Sequence, residues 1–168
     1  MYESVMADEP LTQGDVIDDC PLFRLPVSAN DPDLSANPLR WNARVVVLTQ
    51  ACDLAQAKST KVLVAMIQTA AFLADQGVLK PTLIRDQVRR GLVYGWYFLP
   101  TATAPIELPE SIIDLREVHT VHRAVLEKLL TTGKRVCRIA SPFREHLAQH
   151  FAVTYMRIGL PAPFDTEI

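Results

Sequence analysis

The stretch RVVVLT at residues 44–49 and the stretch KVLVAMI at residues 61–67 decide the fold. Both runs are short, apolar and rich in β-branched residues, which is typical of strands that are buried on both faces. The connection between them is too short for the helical crossover that parallel strands require, so we expect the two strands to be antiparallel neighbours. The two runs therefore predict a sheet with this pair near its centre.

Further strands and helices are predicted on either side of this pair. The other predicted strands cover residues 16–17, 22–23, 92–99, 111–115, 117–119 and 135–139, with a bend at Arg116. Helical patterns cover residues 69–76, 81–90 and 121–130, and Ser141 and Pro142 are suited to begin a last helix at 142–158. The predicted class is α+β: a small bent antiparallel sheet or an SH3-like barrel with about three flanking helices, including the C-terminal helix 142–158.

Length and composition predict one globular domain over residues 1–168, with residues 1–12 as a loose polar segment. Residues 26–40 are rich in Pro, Asn, Asp and Ser and predict a long surface loop. Hydrophobic residues make up 49% of the chain and charged residues 21%, an ordinary globular balance. The mean hydropathy of +0.11 is slightly apolar for a free monomer. It predicts a covered surface, in a homodimer or against a protein partner.

Three features predict a cytoplasmic protein without membrane contact. No apolar run reaches the roughly 18 residues that a membrane helix needs, and the N-terminus lacks the basic and apolar regions of a signal peptide. The cysteines Cys20, Cys52 and Cys137 are few, odd in number and widely spaced. Such a set is typical of reduced thiols rather than of a disulfide or zinc framework.

The charge distribution argues against broad nucleic-acid binding but leaves a local basic face open. The net charge is −2 and the isoelectric point is about 6.1. Residues 1–60 hold nine acidic and four basic residues, whereas residues 85–145 hold ten basic and seven acidic residues. The second segment is either a normally charged body or a modest basic face that contacts RNA. That face would consist of Arg85, Arg89, Arg90, Lys134, Arg135 and Arg138.

The segment TQACDL at residues 49–54 is the best candidate for chemistry, because it places Thr49, Cys52 and Asp53 directly after a buried strand. Cys52 can serve as a nucleophile if a base lies nearby, and His119 or His122 is the candidate. The alternative is structural, with Cys52 packed as a small residue and Asp53 capping a turn.

Two further groups of polar residues are candidates for metal binding or proton transfer. Asp15 would form a carboxylate pair with Asp53 if the first hairpin brought them together, and such a pair binds metal or transfers protons. His146 and His150 are spaced like zinc ligands on a helix, but Leu147 stands where zinc proteases have glutamate. We therefore expect both histidines to lie on a solvated face. No phosphate-binding loop or nucleophile elbow is present in the sequence, and we predict no metal and no cofactor.

Four motifs together resemble a group of small bacterial proteins with no assigned function. They are QGD at 13–15, VVLTQACDL at 46–54, SPFREHL at 141–147 and RIGLP at 157–161.

A second likeness covers about a third of the chain. Gly14, Asp15, Arg44, the valines that follow it and Thr49 resemble the MazF/PemK toxin barrel. That resemblance implies a dimeric, RNA-cleaving barrel that uses Arg44 and Thr49. The family's usual proline after the arginine is Val45 here, the intervening loop is longer and two extra helices follow.

Three function classes follow from these observations. The first is a non-catalytic interaction subunit or accessory module of a bacterial assembly, such as a defence or toxin system, with contacts through residues 26–40 and 81–90. The second is a MazF-like RNA-cleaving or RNA-binding module, in which Arg44 stabilises phosphate charge and Thr49 or Asp53 assists. The third is a hydrolase that uses Cys52.

Overall fold

The computed structural model describes residues 1–28, 31–32, 35–56 and 59–156. The described strands are β1 (Tyr2–Glu3), β2 (Asp15–Arg24), β3 (Val27–Ser28), β4 (Asp31–Pro32), β5 (Leu39–Val47), β6 (Lys61–Thr69), β7 (Trp96–Leu99), β8 (Ser111–His122) and β9 (Arg135–Ile139). The described helices are α1 (Ala51–Ala55), α2 (Ala70–Asp75), α3 (Pro81–Asp86), α4 (Arg123–Thr131) and α5 (Phe143–Tyr155). A 3₁₀ turn at Val88–Arg90 follows α3. These elements confirm the predicted α+β class.

Seven strands form one antiparallel sheet in the order β1-β9-β2-β5-β6-β8-β7. β5 and β6 are neighbours near its centre, with Val46 opposite Ala65, as the sequence predicts. Val46 packs in one core cluster, whereas Val45 and Val47 pack in another. Both faces of β5 are therefore buried, which explains why this stretch of the strand is apolar throughout.

Helices cover both faces of the sheet. Leu147 of α5 packs in the same core cluster as Val46. Leu126 of α4 packs in the cluster that contains Val45. α2 and α3 pack in a third cluster beside β7 and β8, which includes Trp96. The two longest helices thus lie on opposite faces and complete a three-layered core.

The sheet bends where two of its strands carry bulges. In β8 the pairing steps from Val118 to Asp114, which inserts three residues opposite β6. Asp114 stabilises this bulge by accepting hydrogen bonds from the backbone and side chain of Arg116. The predicted bend at Arg116 is therefore confirmed, although one continuous strand replaces the two short strands expected there. β2 is also one strand rather than two, with an irregularity between Ile17 and Cys20.

The bend brings the two ends of the sheet together. The Tyr2 hydroxyl in β1 donates a hydrogen bond of 2.7 Å to the carbonyl of Pro100, which follows β7. No pairing joins β1 to β7 among the described residues, so the sheet stays open. Of the two predicted forms, the bent antiparallel sheet is the one observed, and a closed SH3-like barrel does not form.

Several predicted boundaries differ from the observed ones. The helix predicted at 81–90 divides into α3 and the 3₁₀ turn, and Gly91 ends that turn with a φ of 69°. The strand predicted at 92–99 begins only at Trp96, because Gly95 has a φ of 86° and interrupts the extended backbone. Five α-helices are described instead of about three. α2 and α3 are short, and α1 forms where no helix was expected.

The C-terminal helix begins one residue later than predicted, at Phe143, and ends at Tyr155. Pro142 occupies the N-cap position and no side chain caps the helix, so the expected capping role of Ser141 is not observed. Residues 157–158 of the predicted helix and the motif at 157–161 lie outside the described residues.

Residues 1–12, for which the sequence predicts a loose segment, make ordered contacts with β9. β1 pairs with β9. The Arg135 guanidinium donates hydrogen bonds to the carbonyls of Met6 at 3.0 Å and Glu9 at 2.8 Å. Leu11 is buried in the core. This segment therefore extends the sheet by one short strand.

The loop predicted at residues 26–40 is shorter than expected. β3 and β4 pair within it, and β5 already begins at Leu39, opposite Arg24. Four residues of the predicted loop lie outside the described part of the chain. No helix in the described part is both long and apolar enough to cross a bilayer.

Candidate functional sites

Arg44 is bound to a carboxylate. Its Nε and Nη2 both donate to Asp18, with an Nη2–Oδ2 distance of 2.9 Å. This hydrogen bonding raises the pKa of Arg44 above its ordinary value, against a smaller lowering by burial. A phosphate would have to displace Asp18 to reach the guanidinium, because a bidentate carboxylate occupies the donors that bind oxyanions.

Thr49 has a structural partner of its own. Its Oγ1 accepts a hydrogen bond of 2.7 Å from the backbone N–H of Leu63, which fastens the end of β5 to β6. Arg44 precedes Thr49 by five residues, which corresponds to about 16 Å along an extended strand. The structure therefore does not bring Arg44 and Thr49 into a shared site.

Cys52 and Asp53 lie in the first turn of α1. The Cys52 side chain is exposed, and its Sγ lies 3.6 Å from Gln50 Oε1 and 3.9 Å from Asp53 Oδ1. His122 instead caps α4, since its Nδ1 accepts a hydrogen bond from Ala124.

The other candidate base for Cys52 is also engaged elsewhere. His119 packs edge-on against Trp41, and its Nε2 is 3.6 Å from Glu117 Oε1. Among the described residues, neither histidine is hydrogen-bonded to Cys52, so a thiol–imidazole pair is not assembled. Burial raises the pKa of Cys20 to about 11 and that of Cys137 to about 12. Cys52 is the exposed thiol of the three.

Asp15 belongs to a buried ion network rather than to the carboxylate pair considered with Asp53. It is completely buried, and its carboxylate accepts a hydrogen bond of 2.7 Å from Arg138 Nε and one of 3.0 Å from the Thr12 backbone. Arg135 Nη2 lies 3.3 Å away. Burial raises the pKa of Asp15, and these hydrogen bonds oppose the increase. Both carboxylate oxygens are thus used to hold β2 against β9.

The outer halves of β2 and β5 form a two-stranded ribbon that extends past the neighbouring strands. β9 pairs only with residues 15–17 of β2, and β6 pairs only with residues 44–47 of β5. Beyond those points residues 20–24 pair with residues 39–43. Within the described part of the chain, no further strand pairs with either edge of this segment, which we call the β2–β5 ribbon.

A bulge fixes the direction in which the ribbon leaves the sheet. The register changes between Ile17 and Cys20, and Asp19 has a φ of 56°. Lys134, which directly precedes β9, stabilises the bulge. Its carbonyl accepts a hydrogen bond from the Asp18 N–H at 2.8 Å, and its Nζ lies 2.6 Å from Asp19 Oδ2. The Arg44–Asp18 pair therefore supports the base of the ribbon.

Part of the ribbon is buried in the core, whereas several apolar side chains of the ribbon and of the residues directly after β2 are exposed. Leu22 is only 2% exposed and anchors the ribbon in the core. The exposed apolar side chains are Phe23 at 58%, Leu25 at 42%, Val27 at 70% and Leu39 at 48%. A concentration of exposed apolar side chains at one end of a domain is typical of a binding surface.

Arginines stand next to these apolar side chains. Arg40 is the cross-strand partner of Phe23, and Arg24 is the partner of Leu39. The Arg24 guanidinium stacks over the Trp41 ring at 5.3 Å from its centroid. The sequence did point to contacts in residues 26–40, but it did not identify the ribbon, because its strands are joined by a segment rich in turn-forming residues.

A cluster of aromatic and imidazole rings lies where α5 crosses β7. The Tyr97 hydroxyl donates to the Phe143 carbonyl at 3.3 Å and lies 3.1 Å from His146 Nδ1. His150 packs edge-on against Tyr97, with 5.7 Å between ring centroids, and is only 7% exposed. Burial and the neighbouring His146 lower the pKa of His150, and backbone groups of Val93 and Trp96 act in the opposite direction.

The solvated face predicted for the two histidines is therefore wrong for His150. Phe143 and Tyr155, at the two ends of α5, are 41% and 52% exposed. The helix is rotated so that His150 points to β7, where a tyrosine ring covers it. The i,i+4 histidine pair was the sequence signal for this cluster, and its partner Tyr97 comes from a distant strand.

No protein-family model matches this chain, and the search of curated proteins finds no match either.

Proposed function

We propose that this protein is a non-catalytic interaction module whose β2–β5 ribbon binds an extended segment of a partner protein, as an accessory subunit of a larger bacterial assembly. The observation that carries the proposal is a pair of unpaired strand edges beside four exposed apolar side chains. An open edge accepts an additional strand because half of its backbone N–H and C=O groups point outward without a strand partner.

The outer edge of β5 is the better docking edge. β6 covers β5 from Arg44 onward and leaves residues 39–43 open. A cavity of about 440 Å³ lies at this junction, lined in part by Asn42 and Gln68 and by Asp18 and Asp19, whose carboxylates pair with Arg44 and Lys134. β2, by contrast, is in contact with α4. An incoming strand would therefore run along β5 and end in this cavity.

The charge of the ribbon indicates what the partner segment looks like. Within the ribbon, residues 20–24 and 39–43, the charged residues are Arg24 and Arg40, and the acidic residues Asp31 and Asp33 lie in the segment that joins its strands. A complementary segment carries acidic residues opposite the arginines and apolar residues opposite Phe23 and Leu39, in the alternation that strands impose. We therefore propose an acidic, apolar-alternating segment as the occupant.

A second copy of the chain fits this edge less well. A two-fold axis at Arg40 would bring the two copies of this arginine together, and like charges that face each other across a strand pair are destabilising. A homodimer is therefore an alternative outcome of the experiment rather than the occupant we propose.

The two catalytic alternatives receive less support from the geometry. RNA cleavage by Arg44 and Thr49 requires one shared groove, and these side chains are bound to different partners. Hydrolysis by Cys52 requires a base, and His122 uses its Nδ1 to cap α4.

Selection of displayed peptides tests the proposal. A phage library of random peptides is selected on the wild-type protein, on an Arg24→Glu/Arg40→Glu variant and on a Lys80→Glu control, whose exposed side chain begins α3. We expect the wild type and the control to enrich acidic peptides with alternating apolar residues. We expect the double variant to lose them and to enrich basic peptides instead.

Two outcomes contradict the proposal. One is the absence of any enriched sequence on the wild type. The other is enrichment of the same peptides on the double variant, because the arginines would then make no contribution to recognition. Self-association that depends on Phe23 and Leu39, measured by sedimentation, would identify a second copy as the occupant instead.

A further inference from the structure

A cavity of about 400 Å³ lies between the 3₁₀ turn, β7 and the start of α5. Its lining includes the aromatic residues Tyr97, Phe98 and Phe143, of which Tyr97 is buried and Phe143 is exposed. Its polar lining includes Arg89, Arg90 and His146. The volume falls within the range of about 300–1,000 Å³ that small-molecule sites occupy. The cavity lies apart from the β2–β5 ribbon and shares no lining residue with it.

Two exposed arginines line this cavity. Arg89 and Arg90 are exposed at the end of the 3₁₀ turn, and neither makes an ion pair with a described residue. This distinguishes them from the other members of the predicted basic face. Arg85 pairs with Asp86, and Lys134, Arg135 and Arg138 are matched by acids of β2 and the N-terminal segment. Adjacent unmatched guanidiniums attract a multiply charged anion such as phosphate.

His146 is held in one orientation at the same cavity. The Tyr97 oxygen lies 3.3 Å from the Phe143 carbonyl and 3.1 Å from His146 Nδ1. The contact with Tyr97 engages Nδ1, whichever of the two groups carries the shared proton. Burial raises the pKa of Tyr97 to about 12, so the hydroxyl keeps its proton at neutral pH. Nε2, on the other side of the imidazole ring, is left for a ligand.

A second histidine lies behind this contact. His150 is buried against Tyr97, 6.3 Å from His146 between ring centroids, and its Nε2 has no hydrogen-bond partner among the described residues. A buried polar atom without a hydrogen-bond partner costs free energy. The cavity thus combines aromatic side chains, two arginines without an ion pair to any described residue, and an imidazole that is in contact with Tyr97.

We propose that this cavity binds a nucleoside monophosphate, either free or as the phosphorylated end of an RNA strand. The base would stack on the aromatic side chains, since every base offers a π face to a protein ring. The phosphate would lie against Arg89 and Arg90, with His146 as a further contact. This site is separate from the ribbon, so it adds a second binding activity to the proposed function.

Isothermal titration calorimetry of the full chain tests the site. The probes are AMP, GMP, CMP and UMP, with adenosine, inorganic phosphate and a 5′-phosphorylated triadenylate as comparisons. We expect at least one monophosphate to bind, and adenosine and phosphate to bind at least about tenfold more weakly than AMP, because each lacks one half of the recognised group. Tighter binding of the triadenylate than of AMP would identify an RNA end as the source, and the reverse a free nucleotide.

Three variants assign the binding to the cavity. Arg89→Ala/Arg90→Ala should weaken nucleotide binding by at least about tenfold, the loss expected for charge-assisted hydrogen bonds. His146→Ala should weaken it by a smaller factor. The control Lys128→Ala changes an exposed cation of α4, outside both proposed binding sites, and should leave nucleotide binding unchanged. Both arginines of the double variant are exposed, so its melting temperature should stay at the wild-type value.

Two results overturn the proposal. The first is that none of the four monophosphates binds at concentrations up to about 5 mM, since such a site would contribute less than about 3 kcal/mol of binding free energy. The second is that the double variant binds nucleotide as tightly as the wild type. Neither result bears on the ribbon, because the peptide selection uses different residues.

Discussion

Replacing Asp15 by asparagine removes one negative charge from the buried network and leaves its shape unchanged. Arg135 and Arg138 then remain buried opposite a neutral amide, with side chains only 6% and 10% exposed. Removing one partner of a buried ion pair costs about 3–5 kcal/mol. Glu9 still contacts Arg138 Nη1 at 3.0 Å, so we expect a loss of about 3 kcal/mol, the lower end of this range.

Equilibrium unfolding in urea measures this loss directly. The matched control is Lys134→Ala, which breaks an exposed pair with Asp19 in the same part of the sheet and should change the free energy of unfolding very little. The reasoning is refuted if Asp15→Asn unfolds at the same urea concentration as the control. In that case the two buried arginines would be neutralised by other groups or by water.

Three further predictions concern single side chains. His150 has a lowered pKa, so the unfolded chain binds its proton more readily, and the free energy of unfolding should fall as the pH drops below 6.5; urea titrations at several pH values should show a smaller fall for His150→Phe. Thr49→Val removes the acceptor for the Leu63 N–H and should lower the free energy of unfolding in urea by about 1 kcal/mol. If this variant kept its stability but lost the proposed peptide or nucleotide binding, the purely structural role of Thr49 would be contradicted. Gly95→Ala places a Cβ at 2.7 Å from Arg116 Cγ in a backbone with a φ of 86°, so its melting temperature should fall, and an unchanged value would mean that the Arg116 side chain moves aside at no cost.

The centre of the fold could be predicted from the sequence because its signals are local. Runs of β-branched residues predict β5 and β6, and the short connection between them requires an antiparallel pair. The bend at Arg116 was also visible, as an interruption of an apolar strand by charged residues. The N- and C-terminal boundaries of these elements were less predictable, because glycines with positive φ and capping contacts decide them.

The arrangement of the site residues could not be predicted, because it depends on contacts between distant segments. Arg44 looks like a free cation in the sequence, yet a bulge in β2 places Asp18 beside it. His150 looks like a surface residue, yet the rotation of α5 turns it onto Tyr97. Periodicity identifies a helix with an apolar face, but the shape of the bent sheet decides which side chains that face includes.

The unpaired edges of the ribbon could not be predicted either, because they too depend on how distant segments pair. The sequence of β2 and β5 shows two strands, but it does not show that β9 and β6 stop pairing before those strands end. Only the register of the whole sheet reveals that residues 39–43 have an open side. The binding surface is therefore a property of the topology rather than of a motif.

Photo-crosslinking in the source cells tests the ribbon most directly. The photoreactive residue p-benzoylphenylalanine replaces Leu39 on the ribbon or, as the matched control, Phe72 on α2, which is equally exposed at 48%. We predict crosslinks at the Leu39 position to an acidic, apolar-alternating segment of one partner, identified by mass spectrometry, and their loss in the Arg24→Glu/Arg40→Glu background. Crosslinks that are as frequent from the Phe72 position, or that survive the charge reversal, would contradict a partner-binding role for the ribbon.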